Sequence, residues 1–346
     1  MDFEPVEKKR PVIIENIIPP EKKRVLSGMR PTGRLHIGHW VGALINWVKM
    51  QKEYDVYHMV ADWHAMTSQY ENTRNIRENS REMVIDWISC GLDPEQCTIF
   101  VQSQIKEHAE LALLLGMFTP VPWLERTPSY KEAVIEGKNQ SLETLGFLGY
   151  PVLQAADIVL YKASFVPVGE DQVPHLEMCR ELVRRVNFLY GSLFIEPQPI
   201  LSQTPRLPGM DGRKMSKSYD NCIYLSDPPA AVQKKVSMMI TDPARVKRTD
   251  VGHPEVCSVC AYQTVFNPDE AEAMHEGCRT ATLGCVDCKR RLAEKINELL
   301  EPMRKKRAEL EQKPRIIDSI LKDGNKKARA FAEKTMAEVR AALNLP

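Results

Sequence analysis

Two short signatures in this chain could carry out phosphoryl chemistry: H-I-G-H at residues 36–39 and K-M-S-K-S at residues 214–218. When a carboxylate attacks the α-phosphate of ATP, negative charge builds on the phosphoryl oxygens and the leaving group, and positioned donors or cations stabilise it. A glycine-rich turn, P-G-M-D-G, precedes the second signature. In this order the two signatures predict a nucleoside triphosphate site. Its candidate catalytic residues are His36, His39, Lys214 and Lys217.

The elements around H-I-G-H predict how it is held. Residues 24–27 are typical of a strand and residues 28–33 of a turn, and helical spacing of apolar residues begins at Ile37. The two histidines then lie at a helix N-terminus, where free N–H groups and the helix dipole favour phosphate. Gly38 leaves room for adenine. Taken alone, H-I-G-H is also compatible with two ordinary turn histidines, and K-M-S-K-S with a solvated basic loop. The further candidate ATP-binding residues are Arg30, Thr32, Gly38, Met215, Ser216 and Ser218.

Short apolar runs alternate with amphipathic helical stretches in the first two thirds of the chain. Strands are predicted at residues 24–27, 56–61, 98–101 and 165–168, and helices at 76–88, 108–118 and 172–189. This alternation favours the α/β class with a Rossmann-like doubly wound parallel sheet, in which ligands bind beyond the carboxyl ends of the strands. We expect an N-terminal extension at residues 1–24, a Rossmann-fold catalytic domain at 25–227 and an all-helical C-terminal domain at 228–346.

Composition limits the classes of partner. The 346 residues carry a net charge of only +1, which disfavours a DNA-wrapping protein and leaves nucleic-acid contact to local patches. No stretch approaches 18 consecutive apolar residues, which argues against a membrane span. Nine cysteines without a secretory signal favour a reducing cytoplasmic location.

The paired signatures resemble those of the class I aminoacyl-tRNA synthetases. Between them, Y-P-V-L-Q-A-A-D-I at 150–158 and V-P-V-G-E-D-Q at 166–172 are similar to the tryptophanyl branch. The resemblance implies formation of tryptophanyl adenylate from L-tryptophan and ATP with Mg²⁺, transfer to tRNA(Trp), and a homodimer. It also implies that Asp157 accepts the indole N–H, which suits a ring with one donor and no acceptor. The implied substrate-binding residues are Tyr150, Gln154, Asp157 and Gln172.

Two alternatives stay open at this point. Gln154 stands where many tryptophanyl enzymes carry methionine and where tyrosyl enzymes carry glutamine, and a phenol hydroxyl would also donate to Asp157. A tyrosine–tRNA ligase is therefore the first alternative. The second is a non-catalytic synthetase-like protein that binds tRNA or senses redox state.

Five cysteines, at positions 257, 260, 278, 285 and 288, fall within 32 residues and form C-x2-C and C-x6-C-x2-C patterns. Thiolates at such spacing favour a metal site, either zinc or an iron–sulfur cluster. The resemblance to a bacterial tryptophanyl subgroup implies a [4Fe-4S] cluster, with Cys260 as a rival for the first ligand. The implied ligands are Cys257, Cys278, Cys285 and Cys288.

Basic runs in the same region predict either phosphate contact with tRNA or a solvated helical face. These are residues 289–291, 304–307, 326–327 and 329.

Overall fold

The computed structural model describes residues 23–135, 142–201 and 207–346, so the predicted N-terminal extension lies almost entirely outside the described residues. Five parallel strands form one sheet in the order β3-β2-β1-β4-β5, which confirms the doubly wound α/β prediction. The strands are β1 (Arg24–Met29), β2 (Asp55–Val60), β3 (Cys97–Val101), β4 (Phe165–Val168) and β5 (Gln198–Leu201).

Helices cover both faces of this sheet and make up the C-terminal region. Those before residue 200 are α1 (Ile37–His39), α2 (Ile45–Glu53), α3 (Asp62–Gln69), α4 (Ile76–Ser89), α5 (Glu107–Phe118), α6 (Val121–Glu125), α7 (Pro128–Tyr130), α8 (Leu145–Leu160) and α9 (Val173–Tyr190). Those after it are α10 (Pro229–Ser237), α11 (Ser258–Phe266), α12 (Pro268–Arg279), α13 (Cys285–Glu311) and α14 (Pro314–Ala342). A π-helical stretch, Trp40–Leu44, joins α1 to α2. Among the described helices, none is long and apolar enough to cross a membrane.

The strand order reverses at β1, and this places the two halves of a ligand site side by side. β1 pairs with β2 along its whole length, and its pairing with β4 joins Val25 to Phe165 at the start of both strands. In doubly wound sheets a crevice forms at such a switch point, beyond the carboxyl ends of the strands. Here β1 leads into the turn before H-I-G-H, and β4 leads into G-E-D-Q.

The last helix returns to the sheet and covers its edge. Gly324 of α14 approaches the Ile99 carbonyl so closely that a Cβ would overlap the carbonyl oxygen. The side-chain oxygen of Asn325 accepts the backbone N–H of Val101 at 2.8 Å. A lone edge strand exposes unpaired backbone groups, and this helix supplies a partner for one of them.

Candidate active site

The H-I-G-H signature begins a helix at the carboxyl end of β1, as the sequence predicts. His36 is the N-cap residue of α1, and the buried side chain of Ile37 anchors the helix in the core. The backbone N–H of His36 donates to Nδ1 of His39 at 3.2 Å, and the two imidazole rings lie 3.7 Å apart between centroids. The two histidines therefore form one unit at the helix N-terminus.

The chain that follows K-M-S-K-S binds directly to H-I-G-H. The backbone N–H of Ile37 donates to the carbonyl of Ile223 at 3.0 Å, and that of Leu225 donates to Leu35 at 3.0 Å. Within the second signature, Nζ of Lys217 donates to the carbonyl of Gly33 at 2.9 Å. Residues more than 180 positions apart in the sequence thus close around one crevice.

Gly38 lies where the two signatures meet. A Cβ at this position would stand 2.9 Å from Nδ1 of His36 and 2.9 Å from Sδ of Met215. Both distances are shorter than a carbon atom tolerates, so any side chain at residue 38 would push the signatures apart. The absence of a side chain therefore keeps this part of the crevice open.

Both histidines are neutral at physiological pH. Burial lowers the pKa of His36 to about 4, with the positive charge of Lys217 adding to the effect. Burial, His36 and Lys217 together hold the pKa of His39 well below its usual range. Because Nδ1 of His39 accepts the backbone N–H of His36, we assign its proton to Nε2. The histidines are therefore available as neutral N–H donors and not as cations.

Lys217 supplies the positive charge. Its pKa is lowered to about 8, chiefly by burial and to a smaller extent by nearby Arg30, while Cys222 and Asp86 act in the opposite direction. Arg30 is exposed and donates to Oγ of Ser68 at 3.3 Å, and its carbonyl accepts the backbone N–H of Thr32 at 2.8 Å in the turn after β1. Lys217 is still mostly protonated at neutral pH.

The remaining residues of the second signature lie on a loop that Asn221 organises. The buried Asn221 side chain accepts the backbone N–H of Ser216 at 2.8 Å and donates to Oδ1 of Asp211 at 2.7 Å and to the carbonyl of Lys214 at 3.2 Å. The side chain of Lys214 is exposed at the start of this loop, and the side chain of Ser218 lies outside what the structure describes. Asn221 was not predicted, although an asparagine three residues after a loop signature is a recognisable turn-forming signal.

Three of the four predicted amino-acid-binding residues share one face of α8. Tyr150, Gln154 and Asp157 are spaced i, i+4 and i+7, so their side chains project from the same side of the helix. The hydroxyl of Tyr150 contacts Oγ of Ser129 at 2.5 Å and Nε2 of His175 at 3.0 Å.

The fourth residue, Gln172, is exposed just before α9 and donates to Oδ2 of Asp171 at 3.1 Å. His175, one turn further along the chain, is the residue that contacts Tyr150. This contact ties the start of α9 to α8, so Gln172 and Tyr150 lie at the same end of the crevice.

Asp157 is buried and held from three directions. Nδ1 of His108 contacts Oδ1 at 2.6 Å, Nε2 of His64 contacts Oδ2 at 2.8 Å, and Nε2 of Gln102 donates to both oxygens at 2.8 and 2.9 Å. His108 in turn contacts the hydroxyl of Tyr161 at 2.8 Å. Burial acts to raise the pKa of Asp157, but the two histidines hold it below its ordinary value. The group is therefore a fixed carboxylate.

These partners were not predicted from the sequence, although the sheet rule gives a signal for two of them. Gln102 directly follows the last residue of β3, and His64 lies on the helix that follows β2. Both therefore lie at the carboxyl edge of the sheet, where ligand sites form. His108 has no such signal, because it lies inside α5 and its position depends on helix packing.

The clustered cysteines converge on one small cavity. Cys257, Cys260, Cys278, Cys285 and Cys288 line a space of about 20 Å³, roughly that of a water molecule. Nη1 of Arg245 lies 3.6 Å from Sγ of Cys278, and Nε2 of Gln263 lies 3.5 Å from Sγ of Cys288.

Cys257 differs from its neighbour in the same cavity. Cys257 caps the N-terminus of α11, where hydrogen bonds from Cys260 and from backbone N–H groups lower its pKa to about 6. The pKa of Cys260 is raised, first by its hydrogen bond to Cys257 and then by burial. Within the described residues, no three His, Cys, Asp or Glu side chains already stand around a common point as a metal ion requires.

Comparisons with known proteins agree with this geometry. A family model described as tRNA synthetases class I (W and Y) matches residues 20–301. The tryptophan–tRNA ligase of Thermotoga maritima is 52% identical over 325 residues, covering 93% of this chain and 99% of that protein. That of Aquifex aeolicus is 43% identical over 394 residues, covering 93% of this chain and all of that protein. A crystal structure of tryptophanyl-tRNA synthetase from Campylobacter jejuni, complexed with ADP and tryptophan, superposes with a TM-score of 0.83 at 33% identity, covering 93% of this chain and all of that one. The chain therefore belongs to the class I tRNA synthetases (W and Y).

Proposed function

We propose that this protein is a tryptophan–tRNA ligase, which makes tryptophanyl adenylate from L-tryptophan and ATP and then esterifies tRNA(Trp). The observation that carries this proposal is the bond from Lys217 of K-M-S-K-S to Gly33 beside H-I-G-H, which closes both signatures around one crevice. A protein that only bound tRNA would have no need of a complete pair. ATP enters with Mg²⁺, as is expected of this family.

The chain's own residues stabilise the transition state in two ways. Lys217 places a positive charge against the phosphates, and His36 and His39 donate neutral N–H groups to oxygens that gain charge during the attack. Gly38 and Met215 bound the space for adenine. None of these groups must transfer a proton, because the attacking carboxylate of tryptophan is already ionised.

The amino acid binds along α8. Tyr150 and Gln172 contact the ammonium end, Asp157 accepts the indole N–H, and Gln154 lies beneath the ring. The four contacts of Asp157 already occupy about as many positions as a carboxylate offers. His64, the least enclosed of its partners, is the one that yields to the indole N–H.

The test of the function is pyrophosphate exchange with single amino acids. The named relatives are tryptophan enzymes, so we expect exchange with tryptophan. Exchange with tyrosine alone would show that the protein is a tyrosine–tRNA ligase. Exchange with none of the twenty amino acids would favour the non-catalytic tRNA-binding alternative. Aminoacylation of tRNA(Trp), with tRNA(Tyr) as the matched control, then tests the second step.

We also propose that the cysteine cavity holds a [4Fe-4S] cluster through Cys257, Cys278, Cys285 and Cys288. The support is the donor set: five thiols lining one cavity, with N–H groups of Arg245 and Gln263 directed at two of the sulfurs. The cavity is small as it stands, so the thiols must rotate outward to admit a cluster. Such a group would join the ends of α11, α12 and α13 and takes no part in adenylate formation.

Anaerobic purification followed by iron, sulfide and zinc analysis tests this assignment. We expect brown protein with about four irons per chain, in keeping with a four-cysteine cluster. Cys257→Ser should abolish the colour, whereas Cys260→Ser should retain it. Colourless protein with one zinc per chain would contradict the cluster assignment and show that the cysteines bind zinc.

We further propose a homodimer that buries an apolar surface on α5 and α9. Leu113 and Met117, one turn apart on α5, are 64% and 68% exposed, and Phe188 on α9 is 88% exposed. Phe118 and Tyr190 contact each other at 5.3 Å between centroids, which joins the two helices into one patch. Patches of this kind mark interaction sites. We expect light scattering to give a dimer for the native chain and a monomer for Phe188→Asp.

We also propose a cytoplasmic location. All nine cysteines are thiols in this structure, and both tRNA and ATP are cytoplasmic substrates. Cell fractionation with an antibody to the native chain tests it.

A further inference from the structure

The guanidinium of Arg307 is turned inward, although the residue belongs to a basic run that could have faced tRNA. Its side chain is 12% exposed and reaches from α13 onto α4. Nη1 donates to Oδ1 of Asp86 at 2.5 Å, Nε pairs with Glu311 at 2.9 Å, and Nη2 pairs with Glu82. With three carboxylates around it, Arg307 is committed to the protein interior.

Asp86 connects this arginine to the first signature. It is buried on α4, and its second oxygen, Oδ2, accepts the backbone N–H of Leu35 at 3.3 Å. Leu35 immediately precedes His36, the N-cap residue that starts the H-I-G-H helix. Burial raises the pKa of Asp86, and Arg307 acts in the opposite direction.

Asp86 also acts on the second signature. Its negative charge is one of two influences that favour the protonated form of Lys217. One buried carboxylate therefore supports the turn that starts H-I-G-H and the lysine that closes over it. Removing the cation beside a buried carboxylate leaves an uncompensated buried charge, so the position of Asp86 depends on Arg307.

We propose that Arg307 and Asp86 form a positioning pair through which the C-terminal helical region fixes the H-I-G-H turn for adenylate formation. This inference rests on the proposed function. Neither residue touches the substrates, so both act through the Leu35 backbone and Lys217. The C-terminal region then contributes to the first chemical step, before any tRNA is bound.

The chain offers a matched control. Arg81 on α4 also bridges to the C-terminal region, donating to Oδ1 of Asp318 at 2.6 Å and to the carbonyl of Pro314 at 2.6 Å. Both its partners lie on α14, and it has no contact with Asp86. Arg81→Met therefore removes another arginine bridge from α4 to the C-terminal region, a more exposed one, without touching Asp86 or the H-I-G-H turn.

The experiment is tryptophan-dependent pyrophosphate exchange without tRNA, with ATP and tryptophan varied separately. For Arg307→Met we expect kcat/KM for ATP to fall between about tenfold and a hundredfold, as for a small misplacement of groups at the reacting centre. The KM for tryptophan should stay unchanged, because Asp157 is held by other residues. Arg81→Met should match the native chain, and Arg307→Lys, which keeps the charge without the fork, should recover part of the loss.

A double-mutant cycle makes the test specific. Asp86→Asn combined with Arg307→Met should lose no more than the more damaging single variant, since both act through one pair. The double variant removes the buried charge together with its partner. If urea denaturation shows that Arg307→Met alone does not fold, the double variant is assayed in its place.

Three results would overturn the inference: native kcat/KM for ATP in Arg307→Met, an equal loss in Arg81→Met, or additive losses in the cycle. If the native chain exchanges with no amino acid, the proposed function fails first. If the native chain exchanges with tryptophan and Arg307→Met has the same kcat/KM for ATP, only the inference about the positioning pair fails.

Discussion

Raising the pH should slow adenylate formation, because Lys217 loses its positive charge. Its pKa lies at about 8, where burial and Arg30 lower it and Cys222 and Asp86 partly oppose them. The charged form, which we propose stabilises the leaving pyrophosphate, predominates below that pH and is lost as the pH rises through it. The rate of adenylate formation should therefore fall on the alkaline side.

The size of the effect follows from the titration. With a pKa of about 8, roughly nine-tenths of Lys217 is charged at pH 7 and roughly one-tenth at pH 9, so kcat/KM for ATP should fall about tenfold between them. His36 and His39 add nothing in this range, because burial has already made both neutral.

The assay is pyrophosphate exchange at subsaturating ATP from pH 6.5 to 9.5, since kcat/KM reports the titration of the free enzyme. Lys217→Arg is the control, because a guanidinium stays charged throughout and its profile should be flat. An alkaline limb of the same midpoint in Lys217→Arg would refute the assignment. A flat native profile would refute the reasoning from burial.

Four further outcomes test the site. Lys217→Ala should slow pyrophosphate exchange by about a hundredfold to a thousandfold, as for the loss of one preorganised donor, and a change below about threefold would remove it from the mechanism. Asn221→Ala leaves buried loop groups unpaired and should lower the free energy of unfolding by about 1–3 kcal/mol in urea, together with exchange activity. Gly38→Ala should raise the KM for ATP about tenfold with the KM for tryptophan unchanged, because its Cβ overlaps the adenine side of the crevice. Gln102→Leu removes two hydrogen bonds from Asp157 and should raise the KM for tryptophan about tenfold with the KM for ATP unchanged.

Local patterns were sufficient for most of the sheet. The strand predicted at 165–168 has the same bounds as β4. The strand predicted at 98–101 matches β3 except that β3 begins one residue earlier, at Cys97. The strand β5 was missed because it lies at the sheet edge and its four residues, Q-P-I-L, form no buried apolar run, whereas β4 is equally short but apolar throughout. An edge strand needs neither a continuous apolar run nor every backbone N–H, so its sequence carries little signal.

The sequence by itself determined the reaction and predicted a site for it, because H-I-G-H, K-M-S-K-S and the spacing of Tyr150 and Asp157 along one helix are local properties of the chain. Only the tertiary structure decided which groups hold these residues in place. The contact of Gln102 with Asp157 and the inward turn of Arg307 both depend on packing between elements far apart in sequence. Burial decided the charge states, leaving the histidines neutral and the lysine charged, since desolvation depends on what surrounds a group and not on its neighbours in the sequence.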